Sequence, residues 1–149
     1  RIRDVLHESG LDPRHLKLEI TESAIIDNPG SAGAMLAQLK ELGIQVQMDD
    51  FGTGYSSLSS LHSLPLDGLK VDRSFVGRMP GNPATRQMVR TIALLARGLD
   101  LAVIAEGVET AEQLADVRAM GCDYAQGFLI APPLEPDGMR ALLAENPRW

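Results

Sequence analysis

The chain alternates between short strand-like segments and longer segments with helical periodicity, and this alternation constrains its fold more than any other feature. The five predicted strands are residues 16–21, 45–49, 69–72, 102–106 and 124–128. Because parallel neighbours need a crossover of about a dozen residues or more, strands that each lead into a helical segment indicate a parallel sheet. We therefore predict an α/β fold.

The helical segments between these strands carry apolar residues at helical spacing and recognisable ends. We predict helices over residues 31–42, 85–99, 110–120 and 136–144. The turn before the first of them is Asn28-Pro29-Gly30, and Gly43 ends it. Residues 56–64 are rich in serine but also show helical spacing. The residues from Ile2 onward already have the pattern of the middle of an amphipathic helix, so we expect the chain to be an excerpt of a longer one.

Two parallel architectures fit this order, an incomplete eight-stranded barrel and a doubly wound sheet. Alternation places polar residues on one face of each of the first three strands, where a buried parallel sheet is normally apolar. They are Lys17, Glu19 and Thr21, then Gln47 and Asp49, then Lys70 and Asp72. An apolar interior cannot hold such groups unpaired, whereas a barrel directs strand ends into an active site at its mouth. Periodicity alone leaves both architectures open.

Composition excludes several functions. The chain has 14 Lys and Arg against 20 Asp and Glu, a net charge of -6, and only 4% aromatic residues, which argues against a nucleic acid polymer as partner. Cys122 is the only cysteine in the sequence, so we expect no intrachain disulfide and a cytoplasmic location. No apolar stretch approaches the roughly 20 residues that cross a bilayer, and we expect no membrane contact by this domain.

Each predicted strand ends in charged or amide residues, which are candidates for chemistry. They are Glu19 and Glu22, Asp49 and Asp50, Lys70 and Asp72, Glu106 and Glu109, and Gln126. For any one of them, an ordinary solvated strand end is the simpler interpretation. Because the pattern recurs at the ends of five consecutive strands, it favours a shared site at which the carboxylates converge. A ligand set made only of oxygen atoms suits Mg²⁺ or Mn²⁺. Two such ions with Lys70 nearby would suit hydrolysis of a phosphodiester.

The segment D-F-G-T-G-Y-S-S-L begins at Asp50 and places two glycines directly after the paired aspartates. Such a loop can act as a mobile lid, and a plain tight turn explains the glycines equally well. It is not a dinucleotide fingerprint, because Ser57 stands where the third glycine of G-x-G-x-x-G belongs.

Five motifs in order give the chain a resemblance to the EAL domain, the bacterial phosphodiesterase that linearises cyclic di-GMP. They are L-E-I-T-E-S from Leu18, D-D-F-G-T-G-Y-S-S-L from Asp49, L-P-L-D-G-L-K-V-D-R-S-F from Leu64, V-I-A-E-G-V-E-T from Val103 and Q-G-F from Gln126. The resemblance covers essentially the whole chain. It implies a (β/α)8 TIM-type barrel, present here as its C-terminal five or so βα units, with the site at the C-terminal mouth.

The resemblance also implies roles for single residues. Glu19, Asp49 and Asp50 resemble metal ligands, and Lys70 resembles the residue that contacts the attacking water or the phosphate. Glu106 resembles a further ligand or the general base. Gln126, Asp72 and Glu109 correspond to the substrate side, and Glu22 to the residue that anchors the D-F-G-T-G loop and couples dimer contacts to metal binding. The implied reaction gives the linear dinucleotide pGpG from cyclic di-GMP, with two Mg²⁺ or Mn²⁺ ions in the complete domain.

The family's naming motif and the asparagine ligand that follows it are absent from the sequence, so we interpret residues 1–149 as a partial EAL domain and expect little or no activity from this chain alone. The alternatives are an EAL-like domain that binds cyclic di-GMP or a protein without turnover, and an unrelated metal-dependent barrel enzyme acting on a sugar phosphate. A homodimer, and sensory or GGDEF-type domains in the parent protein, are the partners that the resemblance implies.

Overall fold

Five parallel strands pair in the order in which they occur in the chain. The structure is a computed structural model and describes residues 1–27, 29–54 and 58–147. The strands are β1 (Lys17–Thr21), β2 (Gln45–Phe51), β3 (Gly68–Val71), β4 (Ala102–Glu106) and β5 (Tyr124–Gln126). A doubly wound sheet reverses its strand order at a switch point, whereas a barrel wall adds strands in one direction. The order therefore supports the barrel alternative.

Helices follow or precede every strand. They are α1 (Ile2–Ser9), α2 (Glu22–Asp27), α3 (Pro29–Glu41), α4 (Leu58–Ser63), α5 (Arg73–Arg78), α6 (Pro83–Gly98), α7 (Ala111–Ala119) and α8 (Pro136–Glu145), with a 3₁₀ turn at Pro13–His15. Asn82 caps α6 through the amide of Thr85, and Thr110 forms a capping box with Gln113 on α7.

The predicted elements are present, with local corrections. Pro29 and Gly30 belong to α3 rather than to a preceding turn, because proline is well suited to the first helical turn, where its missing N–H is not needed. Two short helices, α2 and α5, lie where we predicted none. The predicted strand 124–128 ends at Gln126 in the structure. Asn28 of the predicted turn and residues 55–57 of the glycine-rich segment lie outside the described residues.

The sheet is strongly curved, and its concave face carries the polar residues. The ammonium group of Lys17 on β1 lies 5.2 Å from the ring centroid of Tyr124 on β5, although three strands separate them. The opposite face packs against helices. The core between them includes Met48, Leu69, Val71, Val103 and Ala105 from the strands and Val76, Val89 and Ile92 from the helices. A curved wall with an apolar outer layer and a polar concave face is the arrangement of one side of a barrel.

Aspartates hold the sheet together at the end opposite the polar mouth. Asp67, just before β3, accepts hydrogen bonds from the Val46 amide at 2.7 Å and from the Lys40 ammonium group. Asp123, just before β5, accepts from the Val103 amide at 2.8 Å. Each carboxylate thus ties its own strand to the strand that precedes it in the sequence. These bonds fix the register at the base of the sheet.

Within the described residues, β1 and β5 each pair with a neighbouring strand along one side only. Beside β5 an apolar cleft of about 710 Å³ separates the strand exit from α8. Its walls include Phe128, Leu134, Met139 and Leu143, all of which are exposed. No helix in the described part of the chain is both long enough and apolar enough to cross a membrane.

Candidate active site

Four of the predicted site residues meet at the C-terminal end of the sheet, on its concave face. Glu19, Asp49, Lys70 and Glu106 come from four successive strands, β1 to β4. Period-two alternation directs each side chain to the same face, and the parallel arrangement brings the strand ends to one edge. The convergence that the sequence predicted is therefore present in the structure.

Lys70 lies at the centre of this group. Its Nζ is 2.6 Å from Glu106 Oε1, 2.7 Å from Glu19 Oε1 and 3.1 Å from Asp49 Oδ1. The Lys70 side chain is only 4% exposed, whereas that of Glu19 is 47% exposed. A buried ammonium group is tolerated because three carboxylates satisfy its three donors. We use the name carboxylate cluster for Glu19, Asp49, Asp50 and Glu106 around Lys70.

Burial opposes the charge on Lys70, but the hydrogen bonds from its ammonium group to Glu106, Glu19 and Asp49 outweigh that cost and raise its pKa. Lys70 is therefore fully cationic at neutral pH. Burial raises the pKa of Glu106, and the nearby carboxylates of Asp49 and Glu19 add to this effect, while the contact with Lys70 acts against it. Glu106 is thus the one of the three carboxylates in contact with Lys70 for which a raised pKa is found.

An irregularity in β2 explains how two consecutive aspartates face the same mouth. Consecutive strand residues normally point to opposite faces. Between Met48 and Phe51 the strand has one more residue than β3 opposite, which is a β-bulge. Asp50 lies in this bulge with φ 54°, a left-handed conformation that aspartate tolerates better than most residues. The bulge brings the Asp50 carboxylate back to the side of Asp49.

Asp50 carries an unfavourable charge. Its pKa is raised by burial and by repulsion from Asp49 and Asp72, and Lys70 offsets only part of this. One oxygen from each of Asp49, Asp50 and Glu106 lies within 4.8 Å of the others. An all-oxygen group with more carboxylates than cations fits a hard divalent cation such as Mg²⁺ or Mn²⁺.

Glu22 holds the glycine-rich loop after β2. Its side chain is buried and accepts hydrogen bonds from the amides of Gly52 and Gly54, each at 3.3 Å. A Cβ at Gly54 would lie 2.8 Å from Glu22 Oε1, so a side chain there would displace the Glu22 carboxylate from its present position. Gly52 has φ 95° and lies against the Phe75 ring. The described part of the loop, up to Gly54, is therefore fixed next to Asp50.

The remaining predicted residues lie at the same edge in different environments. Gln126 ends β5 and pairs with Glu106 in the β4–β5 ladder. Asp72 accepts from the Ser74 amide at 3.0 Å and caps α5, besides facing Asp50. Glu109 is exposed, and within the described residues its carboxylate has no hydrogen bond or ion pair to the carboxylate cluster. The structure thus brings Asp72 to the cluster and leaves Glu109 outside it.

Sequence reasoning missed residues that shape the loop after Glu106. The Gln113 side chain is 5% exposed and accepts from the amides of Glu109 and Thr110, at 2.7 and 3.0 Å. The pattern T-A-E-Q from Thr110 is a capping-box signature and would have indicated this. Cys122 is not a candidate nucleophile, because burial, with Asp123 beside it, raises its pKa to about 11.

Residues 1–133 match the family described as the EAL domain. Among curated proteins, the chain is 45% identical over 133 residues to the cyclic di-GMP phosphodiesterase NbdA of Pseudomonas aeruginosa, a match that covers 89% of this chain and 17% of NbdA. The first curated relatives are all much longer, and the chain spans about a fifth of their length or less.

Two solved structures show the same fold. The EAL domain of DcpA from Mycobacterium smegmatis has a TM-score of 0.92 and 41% identity, over 99% of this chain and 66% of that one. BlrP1 from Klebsiella pneumoniae, in a complex with manganese and cy-diGMP at pH 9.0, has a TM-score of 0.80 and 33% identity, over 86% of this chain and 33% of that one. The five parallel strands therefore match part of an EAL TIM barrel.

Proposed function

Because the chain belongs to the EAL domain family, we propose that its site hydrolyses cyclic di-GMP to linear pGpG with divalent metal ions. The observation that supports this most is the carboxylate cluster around Lys70, on adjacent parallel strands at the mouth of a barrel wall. Its relatives include a cyclic di-GMP phosphodiesterase and a protein solved with manganese and cy-diGMP. The chemistry of the cluster and the family point to the same reaction class.

Glu19, Asp49, Asp50 and Glu106 are the residues that would hold Mg²⁺ or Mn²⁺ in our proposal. The bound cations would neutralise the carboxylates and stabilise charge on the attacking and leaving oxygens of a phosphodiester. The raised pKa of Asp50 is consistent with this role, because the carboxylate is unfavourable without a further positive charge nearby.

Glu106 and Lys70 would act on the reacting atoms. The water oxygen forms a bond to phosphorus, one P–O bond of the ring breaks, and the released hydroxyl oxygen takes up a proton. Where Glu106 serves as the general base instead of as a further ligand, it would accept the proton of the water, and the pKa that burial raises suits that role. Lys70, cationic at neutral pH, would stabilise negative charge on the phosphoryl oxygens.

The remaining predicted roles complete the proposal. Gln126 and Asp72 line the mouth beside the cluster and would contact the substrate or the metal shell, with Glu109 further out on the substrate side. Glu22 would anchor the loop after β2. The sides of β1 and β5 that pair with no strand among the described residues, and the apolar cleft beside β5, would fit further strands and helices of a complete barrel. We also propose a cytoplasmic location, a homodimer, and sensory or GGDEF-type domains in the parent protein.

The proposal is tested with a complete EAL domain that contains this sequence and with this chain, side by side. Each is assayed for Mg²⁺-dependent cleavage of cyclic di-GMP by chromatography of the products, and for equilibrium binding of the same ligand. We expect pGpG from the complete domain, and little or none from the chain alone. Binding by both without turnover would favour a receptor, and cleavage of a sugar phosphate instead would favour an unrelated barrel enzyme.

A further inference from the structure

The turn that follows Glu106 is enclosed by backbone on two sides. Gly107 has φ 69°, and a Cβ there would lie 2.6 Å from Arg73 Cβ and 3.2 Å from Arg73 Cα. On the other side, a Cβ at Gly127 would lie 2.1 Å from the Val108 oxygen and 2.3 Å from its nitrogen. The distances of 2.1, 2.3 and 2.6 Å are far shorter than van der Waals contacts, and neither the Val108 backbone nor Arg73 Cβ, which is bonded directly to the backbone, can rotate away.

Hydrogen bonds join the same segments. The Val108 amide donates to the Gln126 oxygen, and the Leu129 amide donates to the Val108 oxygen, both at 3.0 Å. Val108 itself is fully buried. The β4–β5 ladder ends at the pair Glu106 and Gln126. The segments that follow β4 and β5 nevertheless stay hydrogen-bonded through their backbones, at Val108 and Leu129. The exit of β4 is therefore held against the exit of β5.

We propose that Gly127 is a positioning residue for the Glu106 carboxylate: the absence of a side chain at Gly127 lets the Val108 peptide lie against the β5 exit, which fixes Glu106 beside Lys70 and Asp49. Gly127 has no left-handed φ, so its backbone conformation suits any residue and only the space requires glycine. A methyl group there displaces the Val108 peptide, two residues from Glu106. A shift of about 1 Å at a catalytic group costs roughly a hundredfold in rate.

The inference rests on the proposed function, because it assigns the positioned carboxylate to the metal site. The test compares Gly127→Ala with a matched control, Gly98→Ala, where a Cβ meets nothing within 4 Å. In each variant of a complete EAL domain that contains this sequence, the Mn²⁺ dissociation constant is measured by electron paramagnetic resonance. The Lys70–Glu106 contact is followed separately, through the Lys70 ammonium resonance in NMR spectra without metal. Circular dichroism and the melting temperature report whether each variant is folded.

We expect Gly127→Ala to weaken Mn²⁺ binding about tenfold and to shift the Lys70 resonance, with Gly98→Ala unchanged in both. In a Glu106→Gln background the additional effect of Gly127→Ala is expected to disappear, since the substitution acts through Glu106. A folded Gly127→Ala protein with an unchanged Lys70 resonance would overturn the inference whatever happens to Mn²⁺. An equal effect in the Glu106→Gln background would also overturn it, because the glycine would then have only a structural role.

Two further outcomes separate this inference from the proposed function. If Gly127→Ala does not fold, Val108→Ala loosens the same turn without a clash, and we expect a several-fold weaker Mn²⁺ affinity with a shifted Lys70 resonance; no shift would contradict the inference. If the unsubstituted complete domain binds no Mn²⁺, the proposed function is wrong, and the Lys70 resonance alone decides whether Gly127 positions Glu106.

Discussion

Glu106 Oε1 lies 2.6 Å from Lys70 Nζ, so a carboxylate whose pKa is raised and the buried ammonium group of the site are direct partners. The two residues stand on adjacent strands, β4 and β3. Lys70 also contacts Glu19 and Asp49, and it therefore limits the repulsion among the carboxylates before any metal binds. Lys70 therefore stabilises the site in addition to the chemical role that we propose for it.

Replacing Lys70 with methionine should destabilise the protein by about 3 kcal/mol at pH 8. This value is at the low end of the range for breaking a buried ion pair, because the Glu19 partner is half exposed and water can solvate its charge. The raised pKa of Lys70 means that its ion pairs contribute stability below the pKa of an unfolded lysine, and that this is lost as the pH rises through the folded value. In Lys70→Met the remaining carboxylates repel one another most when ionised, so the loss should shrink at pH 5.

Urea unfolding at pH 5 and pH 8 measures the loss of unfolding free energy in Lys70→Met at each pH. Lys17→Met is the matched control, because Lys17 lies on the same concave face but contacts only the Tyr124 ring among the described residues. We expect it to cost about 1 kcal/mol or less. An equal loss for Lys70→Met at both pH values would assign the effect to packing instead of charge.

Asp50→Asn should raise the melting temperature in the absence of divalent metal. The Asp50 pKa is raised in the folded protein, so its ionised form destabilises the fold above the pKa of an unfolded aspartate, and the amide removes that charge. Asparagine also tolerates the left-handed backbone at this position. The gain should be present at pH 7 and vanish at a pH low enough to protonate Asp50 in both states.

The same variant should lose the rise in melting temperature that Mn²⁺ gives the unsubstituted chain. Asp100→Asn is the control, because Asp100 has a similar φ of 55° and lies away from the carboxylate cluster. Asp100→Asn should change neither the melting temperature without metal nor its rise on addition of Mn²⁺. A destabilised Asp50→Asn protein would show that the Asp50 carboxylate stabilises the metal-free fold, contrary to our account.

Glu22→Ala should release the loop after β2 and lower metal affinity and activity together. Without Glu22, the Gly52 and Gly54 amides lose their acceptor, and their hydrogen exchange should accelerate, while exchange at Met48 within β2 stays slow. Glu22→Gln keeps an oxygen acceptor and should have a smaller effect. Loss of activity at unchanged metal affinity would contradict a role through this loop.

Asp67→Ala should destabilise the protein by about 2 kcal/mol without changing Mn²⁺ affinity. The Val46 amide and the Lys40 ammonium group lose a part-buried acceptor, but at the end of the sheet opposite the site. Asp137→Ala, at an exposed ion pair in α8, should change stability by less than about 0.5 kcal/mol. Weaker Mn²⁺ binding by Asp67→Ala would show that the base of the sheet also supports the site.

The strands and longer helices could be predicted because period-two and helical patterns, with clear caps such as Thr110, agree along the chain. The short helices α2 and α5 could not, because six residues give little periodicity and neither segment has the repeated leucine spacing of residues 56–64 that indicated α4. The doubly wound alternative is excluded by strand order, which depends on tertiary pairing that no local pattern encodes.

The candidate site was predictable as a set of residues, since strand ends of parallel sheets meet at one edge. Its internal arrangement was not. Alternation alone separates Asp49 from Asp50, and only the bulge, with a left-handed Asp50, reunites them. The central place of Lys70 and the close approach of Gly127 to Val108 likewise depend on register and curvature.

The most direct test of the central claim is the rate of cyclic di-GMP cleavage by a complete EAL domain containing this sequence, with and without Mn²⁺, for the unsubstituted protein and for Glu106→Gln. We predict Mn²⁺-dependent formation of pGpG by the former, and at least a hundredfold slower cleavage by a folded Glu106→Gln variant. Cleavage that needs no divalent metal, or that proceeds at the unsubstituted rate in Glu106→Gln, would contradict the account.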